Sequence, residues 1–336
     1  MTYRRKAITS IHFESFKRTL PSLKGRVIAI TGTTSGTGFV TAQTVAELGA
    51  QVVLLNRPSS RVDESFSRLQ KACPQTKFDN IICDLQSFSS VKGAAHTIRK
   101  LYPQGIHVLV NNAGVMALAD EATEDGFDVQ MQTNHLSHFL LTKELFSVLE
   151  KGAETYNEAR IVNHSSIARM SPEKNLSAKY LEKRGGQLGG NGASMLFGGA
   201  RWRRYNQTKL ANAAFTAALH HRLQAKNSKI KALVAHPGLA STDLQVNATK
   251  QGGMGHWFTK LFMSLAQSPE DGAMGLLSCI CQPHAQSGQF YGPGSSVIAM
   301  KGKANPFPLE SYYDNDYTRN LLWSKSEEAI GQSFNL

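Results

Sequence analysis

From residue 26 to residue 235 the chain alternates short apolar runs with longer stretches whose apolar residues recur at helical spacing. Residues 26–31, 51–56, 78–83, 106–110, 160–164 and 230–235 are such runs, and 289–291 adds a short seventh. Apolar runs of this length, bounded by glycine or polar residues, read as strands buried on both faces of a parallel sheet. Residues 39–48, 65–72, 87–101, 126–149 and 269–281 read as helices. The βαβα order predicts an α/β fold built on a doubly wound parallel sheet. No repeat or composition break divides residues 24–300, so they are expected to form one domain. Residues 1–23 are then an N-terminal extension, and 301–336 a C-terminal extension packed on the domain. Residues 167–204 read as an inserted loop, glycine-rich from Gly185 to Gly199, with a short helix near 177–183. Loops of that length in compact domains tend to be functional.

Charge changes this picture little. The 336 residues carry a formal net charge of +12, but the basic residues are scattered. Only residues 1–6 and Arg201, Arg203 and Arg204 cluster, and no nucleic-acid motif accompanies them. A solvated basic surface is the expectation, with no nucleic-acid partner. No apolar run approaches the roughly 18 residues of a membrane span. That excludes a transmembrane segment and leaves peripheral membrane contact open. Cys73, Cys83, Cys279 and Cys281 fit no zinc pattern and are read as reduced thiols, which points to the cytoplasm. The basic N-terminus also allows organellar import. However, Ile8, Ile11, Phe13, Phe16 and Leu20 suit a short helix packed on the domain, the reading preferred here.

The candidate chemistry lies where strands end. The first strand runs into Gly32, Thr34, Ser35, Gly36, Thr37 and Gly38 and then a helix. Strand, glycine-rich turn and helix N-terminus together make a phosphate site, although the spacing differs from the common dinucleotide fingerprint. Asn56 and Arg57 close the second strand, where such sites read the adenosine ribose. Asp84 and Leu85 follow the third; Asp84 suits either a helix cap or an acceptor for an adenine amino group. Asn111, Asn112, Ala113 and Gly114 end the fourth, small enough for a ligand to lie on the backbone. Asn134 sits inside a helical pattern, a poor place for Asn unless it has a buried polar task. The fifth strand ends in Ser165 and Ser166, and the sixth in His236, Pro237 and Gly238.

Tyr205 and Lys209 are four residues apart and so share one helical face. A phenol beside an ammonium is easier to ionise. With a serine to hold a carbonyl oxygen, the pair could carry protons for reduction of a ketone or aldehyde, or for the reverse reaction.

In this order, Thr31, Gly32, Gly36 and Gly38, then Asp84 and Leu85, Asn111 to Gly114, Asn134, Ser165 and Ser166, Tyr205 and Lys209, and Pro237 and Gly238 resemble the short-chain dehydrogenase/reductase family over residues 24–300. Residues 132–142 and 208–212 look most like its retinol-dehydrogenase and WW-domain-oxidoreductase branch. The resemblance implies a Rossmann fold and hydride transfer between NADP(H) and a carbonyl or alcohol, with retinoid-like or other lipophilic compounds as substrates. Tyr205 would be the acid/base and Lys209 would lower its pKa and hold the nicotinamide ribose. Ser166 would orient the carbonyl, with Ser165 in reserve, and Asn134 would support a relay water. Gly32, Thr34 to Gly38, Asn56, Arg57, Asp84, Leu85, Asn111, Ala113, Gly114, Tyr205, Lys209, Pro237, Gly238 and Thr242 would contact the cofactor. The neutral Asn56 and the adjacent Arg57 favour NADP(H), since an NAD site usually carries an acid there. Two departures stand out. The stretch from Ser166 to Tyr205 is longer than is usual, and His164 replaces an apolar residue. The glycines of 185–204 suggest a mobile lid or wall over the substrate, with Trp202 and the arginines touching it. The competing reading is a catalytically silent NADP(H)-binding sensor or scaffold.

Overall fold

The computed structural model describes residues 8–170, 173–194, 198–240 and 266–336. Seven parallel strands supply most of one sheet: β1 (Val27–Thr31), β2 (Gln51–Asn56), β3 (Phe78–Ile82), β4 (Val108–Asn111), β5 (Ala159–His164), β6 (Ile230–Ala235) and β7 (Gln289–Pro293). An eighth, β8 (Ala304–Pro308), pairs antiparallel with β7 and gives the order β3-β2-β1-β4-β5-β6-β7-β8. The chain winds outward from β1 in one direction and then, from β4, in the other. This is the doubly wound Rossmann-like arrangement expected from the sequence.

The central strands are buried on both faces, so they read as unbroken apolar runs. The pleat nevertheless sends alternate residues into two cores. Ile28, Ile30, Val52 and Leu54 join one, under α2 (Gly36–Glu47) and a long helix formed by Pro269–Cys281. Ala29, Val53 and Leu55 join the other, under α4 (Phe88–Leu101) and the helices that follow β4. Helix α3 (Ser60–Ala72) starts one turn earlier than its apolar pattern indicated.

The helix expected over 126–149 is in fact broken. A short turn, α5 (Val129–Met131), leads into a π-helical turn at Gln132–Leu136, then α6 (Ser137–Glu144) and α7 (Phe146–Tyr156). Leu145 separates the last two with near-zero ψ, and no proline or glycine marks the break. Among its described residues the insertion holds 3₁₀ turns at Ile167–Met170 and Ala178–Leu181, and α8 (Ala200–Ala225) begins five residues before Tyr205.

Both extensions are tied down. Helix α1 (Phe13–Lys17) buries Phe13, and the backbone before it caps onto α9 (Pro269–Cys281). There the Asp271 carboxylate accepts from Ser10 Oγ at 2.8 Å and from the amides of Ile11, His12 and Phe13 at 2.9–3.0 Å. At the other end α10 (Asp316–Ile330) lays Trp323 against Phe139 and Phe334, with ring centroids 5.1 Å apart in each case. Aromatic pairs of this kind add about 0.5–1.5 kcal/mol each beyond area burial. No helix of the described residues is long and apolar enough to cross a membrane.

Candidate active site

A cavity of about 1140 Å³ opens beyond the carboxyl ends of the strands, where β1 and β4 diverge. One half of its floor is the turn from β1 into α2. Gly32 and Gly36 have φ of +71° and +58°, a region only glycine enters cheaply. Gly38 is held closer still: a Cβ there would lie 2.2 Å from the Gly32 carbonyl oxygen. The first turn of α2 has no acidic residue and no side-chain cap, so its amides and positive end face the cavity. Such a cradle fits a pyrophosphate. Thr34 to Gly38 all line it, as do Arg57, Ser59 and Arg61 beyond β2.

The other half carries the proton chemistry. Tyr205 and Lys209 stand on one face of α8, with Lys209 Nζ 5.8 Å from the phenol ring centroid. Lys209 Nζ donates to the His164 carbonyl at 3.1 Å. The two serines divide their tasks. Ser165 is buried and donates to the Lys209 carbonyl at 2.7 Å, fastening β5 to α8. Ser166 Oγ, on the cavity wall, accepts the Ala168 amide at 3.2 Å. Asn134 sits in the π-helical turn, a local irregularity common at functional sites. Its Oδ1 accepts the Val115 amide at 2.7 Å, while its Nδ2 donates to Val115 O and Thr208 Oγ1 at 2.9 Å. Gly114 makes this packing fit, since a Cβ would stand 3.1 Å from Asn134 Oδ1 and 3.5 Å from Lys209 Nζ.

Burial sets the electrostatics. It pushes the Lys209 ammonium down to about 8. It pushes the Tyr205 phenol up to about 12, with the Ser166 hydroxyl pulling weakly the other way. The net direction for the phenol in the free protein is therefore upward, set by desolvation. A phenol kept neutral at pH 7 is a proton donor, which suits the reductive direction. Around this pair lie histidines held neutral. Burial first, and then the Lys209 cation, push His164 down to about 3, and burial and Lys209 push His138 down to about 4.

Comparison with known proteins now bears on the same residues. The sequence model of short chain dehydrogenases matches residues 26–180. WW domain-containing oxidoreductase of Pongo abelii is 30% identical over 91% of this chain and 68% of its own length. The chain belongs to the short-chain dehydrogenase/reductase family. Human polyprenol dehydrogenase is 29% identical over 93% of the chain and 87% of that protein. The crystal structure of an uncharacterized Mycobacterium paratuberculosis protein superposes with a TM-score of 0.71 at 29% identity, covering 95% of this chain and 98% of that one.

Within the family frame, most residues singled out from sequence reach the cavity: Gly32, Asn56, Asp84, Leu85, Ala113, Gly114, Pro237 and Gly238 line it beside those already named. Asn134 stands just behind the wall. Three readings change. Asn111 does not reach the cavity, because its strand position turns the amide to the opposite face, where it donates to Thr142 Oγ1 and Asn163 Oδ1. Its neighbour Asn112 lines the cavity instead, donating to the Thr31 and Gly32 carbonyls at 2.8 and 3.0 Å. Asp84 is no helix cap; its Oδ1 turns back to the Gln86 amide, and Ser87 caps α4. Asn56 is engaged inward, accepting the Thr33 amide and donating to Thr33 Oγ1, both at 2.8 Å. Thr242 lies outside the described residues.

Sequence reasoning missed His138. Its Nδ1 donates to the Asn134 carbonyl at 3.0 Å, so its Nε2 accepts from Thr31 Oγ1 at 2.9 Å. The spacing from Asn134, one helical turn, was the available signal. His164 also gains an account. The Asn112 amide is oriented by its two donations, so its Oδ1 accepts from His164 Nδ1 at 2.9 Å. That leaves His164 Nε2 as a buried acceptor on the cavity wall with no partner among the described residues.

Proposed function

We propose that the chain moves hydride between NADP(H) and the carbonyl or alcohol end of a lipophilic substrate. The observation that carries this reading is the convergence of Tyr205, Lys209 and Ser166 on the cavity that also holds the glycine cradle. The cradle at Gly38, the bare N-terminus of α2 and the unpartnered His164 Nε2 all suit a bound dinucleotide. When bound, that cofactor supplies or accepts the hydride. The protein's share is positioning and proton transfer. Ser166 Oγ holds the carbonyl oxygen, since the Ser165 hydroxyl is committed to Lys209 O. Tyr205, neutral at pH 7, gives its proton to that oxygen as negative charge develops there. Lys209, mostly charged at pH 7 and fixed by His164 O, stabilises the phenolate left behind. Asn134 locks the Val115 backbone and Thr208 around this cluster.

Two features support the finer choices. Arg57 and Arg61 flank the ribose end of the cavity, and no acid of β2 lines it, which favours a 2′-phosphate. Met116, Leu118, Val129, Met170 and Trp202 make the far end apolar. A human relative is named for a polyprenol, a lipophilic alcohol rather than a retinoid. The test is oxidation of NADPH and NADH with a panel of aliphatic and isoprenoid aldehydes. A charge-assisted contact contributes roughly 1.5–3 kcal/mol, and Arg57 is exposed. The lower end applies, a preference for NADPH of about tenfold. Arg57→Ala should erase most of it through weaker NADPH binding. Equal use of both cofactors by the wild type refutes the NADP(H) assignment, and binding without turnover of any substrate favours a silent sensor.

A further inference from the structure

The insertion before Tyr205 is folded around one carboxylate. Asp120 Oδ1 accepts the Gly186 amide at 3.0 Å, and Oδ2 accepts the amides of Leu188 and Gly190 at 2.8 and 2.9 Å. Gly186, Gly189 and Gly190 have φ of +83°, +95° and +73°, the backbone needed to point successive amides at one anion. The glycines that suggest mobility in the sequence are thus committed to a tight anion-binding turn. Arg204 completes it from below. Its side chain is fully buried, 3.5 Å from Asp120 Oδ2 and 3.2 Å from Asp128 Oδ2, and it donates to the carbonyls of Gly190 and Leu118 at 2.8 and 3.1 Å. None of the insertion's arginines lines the cavity, but Trp202 does.

Trp202 precedes Tyr205 by three residues and so shares its helical face. Its ring meets the phenol edge-on, with centroids 6.0 Å apart and planes at 87°. Its indole N–H donates to the Ala193 carbonyl at 3.1 Å, which ties the ring back to the cinched loop. Met116, Ala117 and Ala168 pack on the same cluster. We propose that Trp202 determines substrate specificity as a fixed apolar wall beside Tyr205, and that Asp120 and Arg204 are positioning residues that hold the wall in place. The wall restricts room at the carbonyl carbon. The favoured class is therefore an aldehyde, or primary alcohol, at the end of an apolar chain, with branched ketones excluded. This rests on the hydride-transfer reading above.

The experiment compares wild type, Trp202→Ala, Trp202→Phe and Asp120→Asn in the full chain. A linear aldehyde and a ketone branched next to the carbonyl are the substrates, with the dissociation constant for NADPH measured alongside. Trp202→Ala should raise kcat/KM for the branched ketone relative to the linear aldehyde by about 10–200-fold, the range for a hydrophobic-pocket change. Trp202→Phe should keep the wild-type ratio. Asp120→Asn should shift the ratio the same way as Trp202→Ala and expose residues 185–200 to proteolysis. NADPH affinity should not change in any of them. A uniform loss on both substrates in Trp202→Ala, with the ratio intact, overturns the proposal. Binding of the two corresponding alcohols, measured by calorimetry, reads the same size ordering without turnover. If the wild type binds NADPH but turns over nothing, the hydride-transfer reading fails, while an unchanged ordering of alcohol affinities in Trp202→Ala separately overturns the wall.

Discussion

Acidification from pH 7.5 to pH 5.5 should destabilise this protein through histidines that the fold keeps neutral. His135, His138, His164 and His236 are almost wholly buried, at 0–8% exposure. Burial first, and nearby cations for three of them, push their pKa values down to about 3 or 4. In the unfolded chain each titrates near ~6.5. Above that value neither state binds the proton and stability is whole. As pH falls through 6.5 the unfolded chain gains four protons that the native state refuses until about pH 3–4. Each histidine then costs roughly 1 kcal/mol by pH 5.5, and the four together about 4–6 kcal/mol. That is a large share of the ~5–15 kcal/mol typical of folded domains. Urea unfolding at the two pH values, at fixed ionic strength, reads the difference directly. His138→Gln should remove about a quarter of the pH-dependent loss. A midpoint that does not move between pH 7.5 and 5.5 refutes the claim that these rings are buried and neutral.

Two further outcomes follow from particular contacts. Arg169 is fully buried, paired with Glu310 at 2.7 Å, stacked over Phe290 and donating to the Ser166 carbonyl at 3.1 Å. Glu310→Ala strands that cation, so it should cost roughly 3–5 kcal/mol in chemical denaturation and lower kcat by releasing the Ser166 backbone; unchanged values for both contradict the clamp. Gly38→Ala drives a methyl into the Gly32 carbonyl oxygen, 2.2 Å away. It should weaken dinucleotide binding by about tenfold or more, read from nicotinamide fluorescence, and an unaltered affinity would mean the turn is no phosphate cradle.

Much of the fold was legible because parallel strands buried on both faces leave apolar runs. The bounds of β2, β6 and α9 match the sequence reading. What pattern could not show was set by tertiary contacts. The break at Leu145 and the π-helical turn around Asn134 carry no proline or glycine, so only packing against α4 and α8 reveals them. Strand β8 contains two prolines, Pro306 and Pro308, and survives because it is an edge strand. Asn111 is the last residue of β4 and Asn112 the first beyond it, so their side chains leave on opposite sides, and a one-residue error in strand phase exchanges them. The shared face of Tyr205 and Lys209 was readable from helical spacing, but singling the pair out as catalytic needed the other motifs in their order along the chain. The anchoring of the insertion was not, because Asp120 lies 66–70 residues from the amides it binds.

The central claim is that Tyr205 donates the proton that accompanies hydride transfer. Tyr205→Phe removes one oxygen from a ring that is 5% exposed, so the fold and the cradle should be untouched. The deciding measurement is single-turnover oxidation of bound NADPH by a linear aldehyde in wild type and in this variant, with the NADPH dissociation constant determined for both. The account predicts equal affinity and a rate lower by about 10²–10⁴-fold. A variant that oxidises NADPH at the wild-type rate would contradict it.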